Sequence, residues 1–156
     1  MLRSSSPLRG RAPIDRDDVW TPGNVVQMDA VVAGCAMVAQ ADGWVTPDER
    51  KRMIDRMRNS PTVAFFGAED VLVLFEALNR RFDRDLDDGE ATAEVAVLRL
   101  RGQPGPSRAL IETACAVAQA DGGFDAEERA VILRLCALLD VDPVPFGLHP
   151  GEGDRR

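Results

Sequence analysis

Two stretches of this sequence carry acids at a spacing that suits a cation. The first runs Ala36-Met37-Val38-Ala39-Gln40-Ala41-Asp42-Gly43-Trp44-Val45-Thr46-Pro47-Asp48-Glu49-Arg50. The second runs Cys115-Ala116-Val117-Ala118-Gln119-Ala120-Asp121-Gly122-Gly123-Phe124-Asp125-Ala126-Glu127-Glu128-Arg129. Aligning Asp42 with Asp121 leaves Val, Ala, Gln, Ala, Asp, Gly, Glu and Arg identical in the two copies. Each copy sets an Asp seven residues before a Glu: Asp42 with Glu49, and Asp121 with Glu128. If the two hairpins pack face to face, these carboxylates converge. Like charges that close repel and raise one another's pKa. A hard cation that takes oxygen ligands relieves the repulsion. Asp42, Glu49, Asp121 and Glu128 are therefore the candidate metal ligands, with Asp48, Asp125 and Glu127 nearby.

The same residues have a second reading. Gly43 and Gly122 can take the left-handed conformation that closes a helix. Thr46 and Asp125 are good N-caps, and Pro47 suits a first helical position. Glu49 and Glu128 stand three residues past those caps, which is capping-box spacing. Capping thus accounts for both glutamates without a metal. It accounts less well for Asp42 and Asp121, because an acid beside a helix C-terminus faces the negative end of the dipole. An Asx-turn or a bound cation would offset that.

Other chemistry finds little material. The one histidine, His149, lies near the end of the sequence, so Ser–His–acid and Cys–His arrangements have no second imidazole to use. Zinc sites built on His or paired Cys are absent, which favours Ca²⁺ or Mg²⁺ over Zn²⁺. No P-loop or dinucleotide fingerprint occurs, so no organic cofactor is expected, and the chain reads as a non-enzyme. Asp83 to Gly89 superficially has the composition of a calcium loop. Counted from Asp83, however, the glycine falls one place late for an EF-hand, and the stretch reads as a solvated turn. Cys35, Cys115 and Cys136 sit in apolar helical pattern with no CxxC, as reduced core thiols do.

These groups must be positioned by helices. The chain has 156 residues, 45% of them hydrophobic, enough for one domain with a real core. A formal charge of -7 argues against a nucleic-acid partner and is compatible with cations or basic surfaces. No apolar run reaches bilayer length and no signal-peptide h-region is visible, so a cytoplasmic location without membrane insertion is expected. Residues 1–18, rich in Ser, Pro, Arg and Asp, read as a flexible lead-in, residues 19–148 as the helical domain and residues 149–156 as a loose tail.

Within the domain, Trp20 to Asn24 reads as a turn. A first helix is expected over 25–41, with one apolar stripe through Val25, Met28, Val32, Cys35 and Ala39. A second is expected over 47–58, with Met53, Ile54 and Met57 inward and Arg50, Lys51, Arg52, Asp55 and Arg56 in water. A connector over 62–67 brings Phe65 and Phe66 to the core. Further helices follow over 68–84, 90–101, 107–120 and 126–139, and a short turn over 144–148. The helix over 90–101 uses Val95 and Leu98 for its packing. No period-two run suggests a strand. The expectation is an all-α, single-domain bundle of about six to seven helices with an internal pseudo-twofold repeat.

At this point the sequence resembles the TerB family of tellurite-resistance proteins, over about residues 25–148. The resemblance rests on both Asp-Gly junctions followed by Glu and on Arg58-Asn59-Ser60. It rests also on Phe82-Asp83-Arg84-Asp85-Leu86, Gly89, Gln103-Pro104 and Asp142-Pro143-Val144-Pro145-Phe146-Gly147-Leu148. It implies an all-helical cytoplasmic protein of the bacterial tellurite and chemical-stress system. It further implies divalent-cation binding by the acids matching Asp42, Glu49, Asp121 and Glu128, and association with TerC, a membrane protein, or another Ter-system protein. The residues leave two other readings open: a metal-independent acidic interaction scaffold, and thiol-based handling of tellurite through Cys35, Cys115 or Cys136.

Overall fold

A computed structural model describes residues 22–41, 46–118 and 125–148 of the chain. The segments expected to be a flexible lead-in and a loose tail lie outside the described residues. Among those described there are seven α-helices, one 3₁₀ turn and no strand. They are α1 (Pro22–Ala39), α2 (Pro47–Arg58), α3 (Pro61–Phe66), α4 (Ala68–Arg84), α5 (Leu86–Leu98), α6 (Pro104–Ala118) and α7 (Ala126–Leu139). The 3₁₀ turn spans Val144–Phe146. The all-α bundle expected from the apolar periodicity is the architecture observed.

α1 is the axis of the bundle. It starts at Pro22 and so takes in residues expected to be a turn. A proline costs nothing in a first turn, where its missing N–H has no partner to lose. Its burial also departs from the single stripe expected. Ala30, Val31, Val32, Ala33, Cys35, Ala36, Met37 and Val38 are all buried, so this part of the helix is buried on more than one face. A helix apolar all round belongs at the centre of a bundle. It packs against α4, α5, α6 and α7. Small residues make that possible. A Cβ at Gly34 would stand 2.9 Å from Leu110 Cδ2 of α6, so the glycine lets the two helices meet closely. α6 is wrapped less completely, since Arg108, Glu112 and Ala116 are exposed. The two helices that precede the Asp-Gly junctions are therefore unequal in burial.

The acidic stretch after α4 is not the open turn expected. Only Asp85 leaves the helical conformation, at φ −157° and ψ 104°, and it caps α5 by accepting from the Asp88 amide at 3.2 Å. α5 thus begins at Leu86, four residues earlier than the sequence suggested, and Gly89 lies buried inside it. The reason is packing. A Cβ on Gly89 would lie 2.7 Å from Phe82 Cγ and 2.8 Å from Phe82 Cα. The glycine is where α5 crosses α4, and the close approach outweighs its poor helix propensity.

The inward face of α5 also differs from expectation. Ala93 and Val97 are buried, whereas Val95 and Leu98 are 58% and 40% exposed. Of the phenylalanine pair, Phe66 enters the core and Phe65 stays at the surface, where it meets the Phe66 ring edge-on at 5.1 Å. The segment that carries them is a helical turn capped by Ser60. α7 closes at Asp140 in the left-handed conformation, with the Val141 amide donating to Cys136 O at 2.8 Å. Arg108 stacks over Phe146 at 5.4 Å, and Leu148 is fully buried, which ties the 3₁₀ turn to the bundle.

Candidate metal centre

Two helix junctions carry the candidate ligands, and their described halves are built alike. At the first, Gln40 and Ala41 extend the end of α1, donating to Ala36 O at 3.0 Å and Val38 O at 3.1 Å. α2 then opens on Thr46 in extended conformation (φ −74°, ψ 159°). The Glu49 amide donates to Thr46 Oγ1 at 3.0 Å, and the Thr46 amide donates to Glu49 Oε1 at 3.0 Å. At the second junction the Glu128 amide donates to Asp125 Oδ1 at 2.7 Å. The Asp125 amide donates to Glu128 Oε1 at 3.2 Å. Both are full capping boxes, as the spacing predicted.

Glu49 and Glu128 thus each use a carboxylate oxygen to satisfy a helix N-terminus. Glu49 is held below the usual carboxylate range, chiefly by the backbone amide of Thr46 and then by the Thr46 side chain. Asp42 and Asp121, with Gly43 and Gly122 beside them, lie outside the described residues. Among the described residues no group of three or more His, Cys, Asp or Glu is arranged to hold a metal ion. A carboxylate that accepts one N–H bond keeps further lone pairs for a cation, so the capping role and a ligand role are chemically compatible. Oxygen donors alone fit a hard cation.

The helices around the junctions fix where they stand. Gln40 and Ala41 share a cavity of about 360 Å³ with Phe82, Leu86, Val131 and Arg134. Further back along α1, Gly34 faces Leu135 of α7. Moving from Val131 to Leu135 along α7 therefore means moving from Gln40 back to Gly34 along α1. The two helices are antiparallel, and the start of α7 lies at the end of the bundle where α1 finishes. The start of α2 lies there too, because it follows α1 directly. Both capping boxes consequently belong to one end of the molecule.

Arginines tie this end together. Arg50, expected in water, reaches Glu76 at 3.4 Å and Asp83 at 4.0 Å and so fastens α2 to α4. Arg56, likewise expected in water, donates from Nε to Val117 O at 2.6 Å, joining α2 to the last turn of α6. Arg134 of α7 pairs with Glu90 and Glu94 of α5, and Arg81 holds Asp88 at 2.5 Å. The acids after α4 are thereby largely matched by local cations. Sequence reasoning missed these roles because an arginine on a helix surface looks the same whether or not its partner lies on a neighbouring helix.

It also missed Asn79. This side chain is 1% exposed on α4, and neither its Oδ1 nor its Nδ2 has a partner among the described residues. It occupies a position in the apolar stripe with Phe75 and Phe82, where the periodicity alone would put a hydrophobic residue.

The thiols are poorly suited to nucleophilic work. Burial pushes Cys35 up to about 12. Cys115 is raised to about 11 by burial and then by Glu112. Cys136 is raised to about 11 by burial, with Cys115 and Asp142 adding to it. At neutral pH all three stand overwhelmingly as thiols, and the thiolate is the reactive form.

With this geometry in hand, the chain can be set beside known proteins. A sequence model of the family described as tellurite resistance protein TerB matches residues 28–148. The chain belongs to the TerB family. The matched region runs from Met28 in α1 through the 3₁₀ turn and contains both helix junctions. A tellurium resistance protein TerB from Alcaligenes sp. is 34% identical over 77 residues. That alignment covers 49% of this chain and 63% of the relative, so the chain spans somewhat less than two thirds of that relative's length. No solved structure matches the chain. Among the described residues no helix is long and apolar enough to cross a membrane.

Proposed function

We propose that this protein serves tellurite resistance as a non-enzymatic module that binds a divalent cation, Ca²⁺ or Mg²⁺ rather than Zn²⁺. Its ligands are Asp42, Glu49, Asp121 and Glu128. It works in the cytoplasm with a membrane partner of the same resistance system, TerC or another Ter protein. Family membership supports the resistance role, as does the name of the Alcaligenes relative. The observation that carries the cation reading is the common end of the bundle shared by the two capping boxes. Glu49 and Glu128 start helices that leave from the same end, and each is preceded in the sequence by an Asp-Gly pair seven residues before it. Two acidic junctions at one end collect negative charge that a divalent ion relieves.

The two kinds of acid have different parts in this reading. Glu49 and Glu128 are fixed by their caps and offer oxygens that do not wander. Asp42 and Asp121 supply the further carboxylates of the set. The metal-independent scaffold draws on one specific observation, namely that both glutamates are already engaged by backbone amides. In that case the acids form a patch that docks basic segments without an ion.

A tellurite challenge of cells that depend on this protein separates the readings. Asp42→Asn with Asp121→Asn abolishes resistance if the acids act through a cation. Capture of the membrane partner by the unaltered protein is then also lost in chelator. Partner capture that survives chelator but fails in the double variant assigns the acids to docking alone. Full resistance in the double variant removes both.

A further inference from the structure

α4 and α5 are joined through Asp85 alone, turn back on one another, and both pack on α1. The three helices leave an open groove of about 360 Å³. Its lining has helical spacing. Leu74, Leu78 and Arg81 stand along α4, and Thr92, Val95 and Arg99 along α5, each set covering seven residues. The groove is therefore about 10 Å long, two turns of helix. Its rim is apolar and exposed: Val73 and Ala77 lie one turn apart on α4, and Val95 and Leu98 one turn apart on α5. Val73 and Val95 expose 67% and 58% of their surface, and such a patch marks an interaction site. None of the described helices covers it. At the end marked by Arg99, the groove also holds Asp29. Burial raises the Asp29 carboxyl and Arg99 only partly lowers it again, so this acid is short of positive charge. Arg81, at the other end, is already engaged by Asp88.

We propose that this groove docks an amphipathic helix of another protein, its apolar face on Val32, Leu74, Leu78 and Val95, and a lysine or arginine beyond that face paired with Asp29. The length of the groove selects a helix. Two turns between parallel walls receive anchors at i, i+3 or i+4 and i+7, which is how an apolar helix face lies in a groove. The charge selects a basic one, because a cation seated beside Asp29 offsets the burial of that acid. A second copy of this chain fits poorly. Among the described residues only α5 exposes two large apolar side chains one turn apart, Val95 and Leu98, and α5 is already a wall of the groove. A chain with a formal charge of -7 also brings more acid to Asp29 than cation. On α1 the lining stops at Ala33, short of the acidic junction that follows Ala39. The docking site therefore does not rest on the cation reading.

The probes are two synthetic amphipathic peptides, each with leucines at i, i+4 and i+7 and one lysine a turn before or a turn after them. Each is titrated into the nitrogen-15-labelled full chain, and the amide resonances are followed. Saturable shifts are expected from one of the two, centred on Ala33, Ala77, Thr92 and Ala96. Changing that peptide's lysine to glutamate is expected to weaken binding several-fold, and Asp29→Asn is expected to erase the difference. Val95→Glu and Ala77→Glu, both at exposed positions on the groove walls, are expected to abolish the shifts while far-ultraviolet circular dichroism stays helical. The proposal is overturned if neither peptide gives saturable shifts, if the shifts fall outside the groove, or if neither glutamate variant changes them. It is equally overturned if the advantage of lysine survives Asp29→Asn. Shifts of the same resonances with protein concentration alone overturn it in favour of a second copy. Hexylammonium binding as tightly as the peptide overturns it in favour of a small amphiphile.

Discussion

Replacing Gly89 by alanine sets two effects of opposite sign against each other. In an exposed helix interior the change stabilises by about 1 kcal/mol, because alanine is the better helix former. Gly89 is buried where α5 crosses α4. The added methyl would stand 2.7 Å from Phe82 Cγ and 2.8 Å from Phe82 Cα. The ring can rotate, but the Cα belongs to the α4 backbone, so the helices must separate. Overpacking costs about 1–3 kcal/mol, and a clash with backbone at 2.8 Å belongs to the upper part of that range, about 2–3 kcal/mol. Set against the propensity gain, the net effect is a destabilisation of about 1–2 kcal/mol. Urea unfolding followed by circular dichroism reads this directly. With a slope of about 2 kcal/mol/M for a chain of this size, the midpoint falls by about 0.5–1 M. Gly105→Ala is the control, since a Cβ there meets nothing within 4 Å, and it is expected to be neutral or mildly stabilising. A Gly89→Ala protein as stable as the original, or more so, would refute the close crossing and the early start of α5 with it.

Three further outcomes follow from the same structure. Thr46→Ala removes the hydroxyl that accepts from the Glu49 amide and is expected to cost about 1 kcal/mol in the same unfolding assay. Glu49 has its carboxyl lowered by the Thr46 amide, so its contribution to stability is fully present at neutral pH and is lost as pH falls through its depressed folded value. Thermal midpoints measured from pH 7 downward should therefore fall less steeply in Glu49→Gln than in the original protein; an unchanged slope would contradict the cap. Asn79 buries an amide with no partner among the described residues for either polar atom, so Asn79→Leu is expected to stabilise by about 1 kcal/mol, and a marked loss would mean that the amide has a partner in solution.

Much of the fold was legible because most of its helices carry their own start and stop signals. Thr46-Pro47 with Glu49 and Asp125 with Glu128 each announce an N-terminus, and each stands where the sequence put it, whereas Ser60-Pro61, read as a stop, also caps a short helix. What failed depended on three-dimensional neighbours. Gly89 and the surrounding acids have the composition of a turn, and only contact with Phe82 keeps the glycine in a helix. The stripe on α1 was real but incomplete, because a run of Ala, Val and Cys has no polar face from which to tell one-sided from complete burial. Val95 and Leu98 looked like core residues for the converse reason: periodicity marks an apolar face without saying what covers it. At the candidate metal centre, the capping boxes could be read from spacing alone. The common end of the bundle that holds both could not, since it depends on the direction in which α7 runs past α1.

The central claim is that the two acidic junctions share one divalent ion. Calorimetric titration of the full chain with Ca²⁺, Mg²⁺ and Mn²⁺ tests it most directly, with the Asp42→Asn, Asp121→Asn protein run alongside. The account predicts saturable heat with at least one of these ions in the original protein and its loss in the double variant. No heat with any of them at millimolar ion, or heat that the double variant retains in full, would contradict it.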